Sequence, residues 1–191
     1  MITAHFTIPG NPVAKARARH RAIHTGAFYF NATKGRKEEK IIPQEYTPKE
    51  SMVFENLVRT AFVAQFQGQP WSGPVSIDVV AFIGAPKSLR KWERELVDIE
   101  CMPHTRKPDG DNVIKAIKDG LRSVAYVDDN LVFDGHYRKI YSNRPRTEVT
   151  LSLYTMEELC QNLKQEHDRS CEKSALPGNQ TTQPLQLSLV S

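Results

Sequence analysis

Cysteine is scarce in this 191-residue chain: Cys101, Cys160 and Cys171 form no CxxC pair and no Cys/His spacing that would hold zinc. Neither a disulfide framework nor a zinc site is expected, and the three read as reduced bystanders. Long hydrophobic runs are missing as well. No window approaches the roughly 18 consecutive apolar residues of a membrane helix, and the opening MITAHFTIPG has neither the charged start nor the long apolar run of a secretory signal. A cytoplasmic protein without membrane contact is expected. Internal repeats are absent, and so is any acidic residue between positions 9 and 37.

What is present is enough for one domain with a real core, since 39% of the residues are hydrophobic. The net charge of +4 is unevenly spread: residues 155–191 hold five acidic and three basic residues, which leaves about +6 on the first 154. The folded part is therefore the basic part. ITAHFTI (2–8) reads as a strand stopped by PGNP. In the following VAKARARHR, Lys15, Arg17, Arg19 and Arg21 recur with period two, so an extended chain projects all four from one side about 6.6 Å apart. Either this is a solvated loop or, since four unpaired cations repel one another, it is a contact for a polyanion. AFYFN is readable as a short strand and KGRKEEK as a charged turn or mobile loop.

YTPKESMVFENLVRTAFVAQF (46–66) has the marks of a helix start, with Thr47 as cap, Pro48 at the first helical position and Glu50 closing a capping box. Val53, Phe54, Leu57, Val58, Ala61 and Phe62 form its apolar stripe. VSIDVVAFI (75–83) is a strand, and GAPKSLRKWERELV a loop and short helix. KPDGDNVIKAIKDGL follows, with Val113, Ile114, Ile117 and Leu121 at helical spacing over about 111–122. SVAYVDDNLVFDGHYRKIYS gives a turn at Asp128, Asp129 and Asn130 and then a strand, and RTEVTLSLY (146–154) a closing strand. The order is β, basic loop, α, β, α, β, β. Beyond Tyr154 a helix with Met156, Leu159 and Leu163 on one side is expected, then a polar, proline-containing flexible end.

Asp111 and Lys115 are four apart and share a helix face turned from the apolar stripe, with Asp109 just ahead of the first turn. One account is structural, an aspartate cap and a surface ion pair. A cap needs only one carboxylate, however, and a second adds repulsion that a cation would relieve. SVAYV is long enough to bring the acidic pair Asp128 and Asp129 back to the helix start. Such a group of hard oxygens suits Mg²⁺ or Mn²⁺ and phosphodiester hydrolysis, with Lys115 beside the scissile phosphate. An EF-hand is excluded, because the fifth and twelfth positions counted from Asp109 are Val113 and Gly120.

KPDGDNVIKAIKDGL followed by VAYVDDNLV resembles the signature of the RusA family of Holliday junction resolvases, in which D-x-D-N-x-x-K opens a helix and D-D follows on a turn. FTIPGNPVAKARARHR, YTPKE, HTRKPD and PRTEVTL are similar to the phage and prophage versions, so the resemblance covers residues 2 to about 153. It implies an α+β domain over residues 1–154, a small mixed sheet flanked by two main helices, with residues 155–191 as an extension. It implies a homodimeric, Mg²⁺-dependent endonuclease that cuts four-way DNA junctions by paired nicks in recombination and repair. Asp109, Asp111 and Asp129 are then metal ligands, with Asp128 in the adjacent acidic position and Lys115 the catalytic lysine. Lys15, Arg17, Arg19, Arg21 and Lys107 become the DNA contacts. Gly110 stands where the family has an apolar residue, which is expected to loosen the turn. A non-catalytic branched-DNA binder and a nuclease of flaps or forks are the competing readings.

The terminal QLSLV resembles the peptide by which bacterial proteins dock on the sliding clamp, with Gln186, Leu187 and Leu189 as anchors and Val190 in place of the usual aromatic. Deleting residues 184–191 is expected to abolish pull-down by the clamp and to spare nuclease activity; unchanged pull-down rejects the motif.

Overall fold

The computed structural model describes residues 1–17, 19–46 and 48–174. The elements run β1 (Ile2–Pro9), β2 (Arg19–Asn31), β3 (Arg36–Tyr46), α1 (Lys49–Val63), β4 (Val75–Gly84), α2 (Lys91–Asp98), α3 (Gly110–Leu121), β5 (Val132–Ser142), β6 (Arg146–Leu153) and α4 (Met156–Ser174). The chain divides into two units, Met1–Thr155 and Met156–Ser191. The fold class is α+β, as the resemblance implies.

In the first unit a four-stranded sheet has the order β1-β6-β4-β5. β6 is antiparallel to both neighbours, and β5 is parallel to β4, a pairing that demands a crossover, here supplied by α2 and α3. Alternation assigns the faces. Ala4, Phe6 and Ile8 of β1, Val75, Ile77, Val79 and Ala81 of β4, and Val149 and Leu151 of β6 are buried in one cluster with Phe54, Val58 and Phe62 of α1 and Val113, Ala116, Ile117 and Leu121 of α3. Their alternates point the other way and are mostly polar, among them Thr3, His5, Asp78 and Thr150, with Phe82 buried under Arg146 as an exception. Burial of one such Ile or Phe stabilises by about 1.5–3 kcal/mol, so α3 is anchored chiefly by its apolar stripe.

The two helices approach closely. A Cβ on Gly120 would lie 2.8 Å from the Glu55 carbonyl oxygen and 2.8 Å from Val58 Cβ, so the crossing admits no side chain there. Lys15 ties the same pair, its Nζ 2.6 Å from Glu55 of α1 and 2.8 Å from Asp119 of α3. Partial burial pulls its pKa down, but the Asp119 and Glu55 carboxylates outweigh this and leave it raised.

Several expectations are corrected. Pro48 precedes α1 as its N-cap, with no side-chain cap bond, and Thr47 lies outside the described residues. Val53 is 65% exposed; the inward position one turn before Phe54 belongs to Ser51, whose Oγ accepts from the Ala16 N–H at 3.1 Å. The larger correction concerns residues 19–46, where a basic loop, a short strand at AFYFN and a charged turn were expected; the strand is there, as part of a longer one. Together these residues form a long antiparallel hairpin, β2 on β3, a separate two-stranded sheet.

The second unit begins with α4, on which Met156 and Leu163 are exposed. Gln186, Leu187 and Leu189 lie outside the described residues. No described helix is long and apolar enough to cross a membrane. Cys101 and Cys160 are free thiols.

Behind α2, Arg146 of β6 holds Glu100 through two bonds of 2.7 and 2.8 Å, and Ser142 Oγ donates to the same carboxylate at 2.7 Å. Arg146 first and Ser142 second bring the Glu100 pKa down to about 2. Because the folded-state value is the depressed one, this stabilisation is present at neutral pH and lost as pH falls from about 4.5 toward about 2. Glu100→Gln is therefore expected to melt at a lower temperature than wild type at pH 7, the gap closing across that acid range in pH-dependent melting curves; a gap independent of pH would assign Glu100 a packing role only.

Candidate active site

The start of α3 is set by what holds the chain ahead of it. β5 is the edge strand of the four-stranded sheet, and the segment before α3 runs along that free edge: Tyr141 N–H donates to the Met102 carbonyl at 2.8 Å, and His104 N–H to the Lys139 carbonyl at 3.0 Å. The Lys139 side chain then reaches further. Its Nζ donates to the Arg106 carbonyl at 3.0 Å and to the Pro108 carbonyl at 2.8 Å. The ammonium thus grips both carbonyls that flank Lys107 and delivers the backbone to Asp109.

Gly110 is buried, and a Cβ there would sit 1.8 Å from Tyr137 Cε2. The ring of Tyr137, on β5, fills the space a side chain at 110 would take. The expected loosening is therefore corrected: the missing side chain is replaced by a tyrosine ring from the neighbouring strand. One turn on, Gly135 of β5 faces Ile114 of α3, with 3.4 Å between a built Cβ and Ile114 Cδ1. Strand and helix consequently run in opposite directions past each other.

Asp109 occupies the N-cap position of α3 with extended backbone, yet its side chain makes no cap hydrogen bond. The helix is opened instead by the backbone, Val113 N–H to the Asp109 carbonyl at 3.1 Å. Asp109, Asp111 and Lys115 are all exposed. Asp109 and Asp111 stand at the solvent-facing start of α3, with Lys115 one turn beyond Asp111 on the same helix face, and the positive end of the helix dipole at that start adds to the attraction for anionic groups.

The second acidic pair is elsewhere. SVAYV does not run back along α3 but coils at its C-terminal end: Val124 and Ala125 N–H donate to the Leu121 carbonyl at 3.1 and 2.8 Å, and Ser123 takes a left-handed φ of 65°. Tyr126 is fully buried there, its hydroxyl donating to the Lys118 carbonyl at 3.0 Å. Asp128 accepts from Asn130 N–H at 3.0 Å and from Arg122 at 2.9 Å. The Asn130 N–H first, and the Arg122 guanidinium, keep its carboxyl below the usual range.

Within one chain the four carboxylates therefore divide, Asp109 and Asp111 at the start of α3, Asp128 and Asp129 in the turn after its end, the helix itself being roughly 18 Å long. Among the described residues no three His, Cys, Asp or Glu side chains gather in a way that could hold a metal ion. The oxygen donors have the right chemistry for Mg²⁺, but a single chain does not assemble them.

The basic residues separate similarly. Lys15 is spent between Glu55 and Asp119, whereas Arg17 and Lys107 are exposed. Arg19 and Arg21 stand in β2 opposite Tyr46 and Gln44; Arg21 donates to Gln44 Oε1 at 2.6 and 2.8 Å and lies over the Tyr46 ring. Register places Arg36 and Lys40 of β3 on that same face, so it carries two cations that were not singled out in the sequence. His104 is buried against Tyr141, and burial first, then the charges of Lys139 and Arg106, lowers its pKa. Lys139 and Tyr137 were missed; strand register pairs them with Ala81 and Val79 on the helix-bearing face of the sheet, but Tyr137 stays half exposed and no pattern in YRKIY marks either.

Exposed carboxylates and a lysine at a strand-braced helix start, on a small mixed sheet that carries an arginine-bearing ribbon, are the equipment of a protein that handles nucleic acid. Residues 9–152 match the model of the family described as endodeoxyribonuclease RusA. The chain belongs to that family and is an endodeoxyribonuclease, a nuclease acting on DNA. It is also 34% identical over 151 residues, 76% of this chain and 93% of the other, to the uncharacterized protein YqaN of Bacillus subtilis strain 168.

The Lys139 grip generates a test. A charge-assisted hydrogen bond contributes about 1.5–3 kcal/mol, so Lys139→Met is expected to lower the single-turnover nicking rate about tenfold to a hundredfold while DNA binding is retained, with Lys139→Arg recovering part of the rate. An unchanged rate would leave the grip without influence on Asp109.

Proposed function

We propose that this chain is a Holliday junction resolvase of the phage or prophage type: a homodimeric, Mg²⁺-dependent endonuclease of the cytoplasm that cuts four-way DNA by paired nicks in recombination and repair. The observation that carries the reading is the unused carboxylate of Asp109, which sits at the cap position without capping. An aspartate kept for helix stability would bond the free N–H groups of the first turn; here backbone groups are left and a second carboxylate, Asp111, is exposed beside it. This favours the enzyme over a non-catalytic binder that uses its aspartates as caps.

The division of the acids between the two ends of α3 supports the dimer. A twofold axis crossing α3 would set the acidic start of one subunit's helix beside the acidic turn of the other, gathering donors that one chain keeps apart. A junction presents two symmetry-related strands, and a twofold enzyme has two such composite sites. A bound Mg²⁺ or Mn²⁺ would supply an activated water and charge compensation. The chain's own residues position the substrate: Lys115 lies four residues from Asp111 on the exposed face, and Arg17, Arg19, Arg21 and Lys107 offer phosphate contacts. The clamp-docking tail remains part of the proposal through Gln186, Leu187 and Leu189.

Incubation of a labelled four-way junction, a flap and a fork with and without Mg²⁺ separates the substrates, symmetric nicks in the junction being expected. Asp111→Asn and Asp129→Asn should each abolish nicking and keep junction binding. Mixing the two inactive proteins is expected to restore cleavage, because half of the composite sites in the mixed dimer draw both intact aspartates; continued inactivity of a verified mixed dimer would place all ligands in one subunit.

A further inference from the structure

The β2–β3 hairpin has two faces of different chemistry. Directly opposed residues of an antiparallel pair share a face, and the register assigns Arg19, Arg21, Arg36 and Lys40 to one, with Glu38 as its acid and Ile23, Tyr29, Ile42 and Tyr46 between the cations. The other holds Ala22, Phe28 and Phe30 from β2 and Ile41 and Pro43 from β3, with Lys37 near the tip, His24 and Glu39 in the middle, and His20 and Glu45 near the base. The irregularity between His24 and Phe28 sets three residues of β2 opposite Lys40 alone, an even excess of two, so the alternation resumes on the same side and the apolar residues stay together.

This second face is open. Phe28 is 67% exposed, Phe30 64% and Ile41 51%, a density of bared aromatic and aliphatic surface that marks an interaction site. Nor does a two-stranded ribbon bury its own apolar groups. Its charge argues against phosphate, since it carries Lys37 against Glu39 and Glu45, Glu39 being bonded to His24 at 2.7 Å. It does complement itself. Ile41 lies midway between Lys37 and Glu45 along β3, so two ribbons laid face to face and antiparallel about an axis at Ile41 bring each Lys37 to the other's Glu45 and set the phenylalanines against the Ala22 and Pro43 end.

We propose that this face docks on a second copy of the chain, the two hairpins crossing as isologous arms and turning their arginine faces outward to DNA. The inference rests on the homodimer reading and gives it a surface. The face contributes about half of the 20–30 residues a side that a standard interface takes, so the arms add to a larger contact.

Sedimentation velocity over a concentration series tests it. Wild type is expected to be dimeric, and Phe28→Ser/Phe30→Ser to dimerise at least about tenfold more weakly, as expected for loss of two aromatic anchors. Lys37→Glu alone and Glu45→Lys alone should each weaken the dimer, and the two together should restore it, which separates a specific contact from damage to the hairpin. A monomeric wild type overturns the dimer reading and this surface with it. A dimer indifferent to the phenylalanine pair and to the charge reversals overturns the surface alone, as does a loss of junction affinity with the dimer intact, which would give the face to DNA.

Discussion

The grip of Lys139 on the Arg106 and Pro108 carbonyls, with the Tyr137 ring seated over Gly110, is the constraint on which the acidic pole depends. Two successive inward-facing positions of one edge strand hold the three residues that lead into α3. The ammonium satisfies carbonyls that a free edge would leave to water, and the ring occupies the space vacated by a side chain. Once those positions are fixed, the helix starts at Gly110 with the Asp109 side chain uncommitted. The same strand runs past α3 in the opposite sense, so the segment joining them has to end at the far pole. The separation of Asp128 and Asp129 from Asp109 and Asp111 is thus a consequence of connectivity.

The core repeats this economy of close approach. Gly120 brings α3 onto α1, and Lys15 ties the crossing through carboxylates on both helices. A lysine from the basic stretch therefore serves the fold, while its alternates Arg19 and Arg21 face outward on the hairpin. Period two in a sequence reports which residues share a side. It does not report whether that side meets solvent, a helix or a substrate.

Elements with a buried stripe were legible. α3 spans Gly110–Leu121 against an expected 111–122, and β4 and β6 fall within a residue or two of their reading, because their apolar spacing is imposed by one contiguous core. Of the hairpin only the AFYFN end of β2 was legible, since both its faces are open and no alternation of burial marks its full length. Ser51 in place of Val53 was illegible for a different reason: its bond to Ala16 N–H is a contact over 35 residues. The candidate carboxylates and Lys115 were named from helical spacing and then from a motif, which carry their identity but not the distance between the two halves. That distance is set by the turn after α3, where Ser123 adopts a backbone conformation few side chains favour and its composition gives no warning of it.

Because β2 and β3 form a sheet of their own beside the four-stranded one, the hairpin's length is a free variable. Residue pairs could be inserted or removed near its tip without disturbing a single layer of the core, as long as their number keeps the alternation. The ribbon's reach can then be retuned by evolution while the four-stranded core and the braced helix start stay as they are.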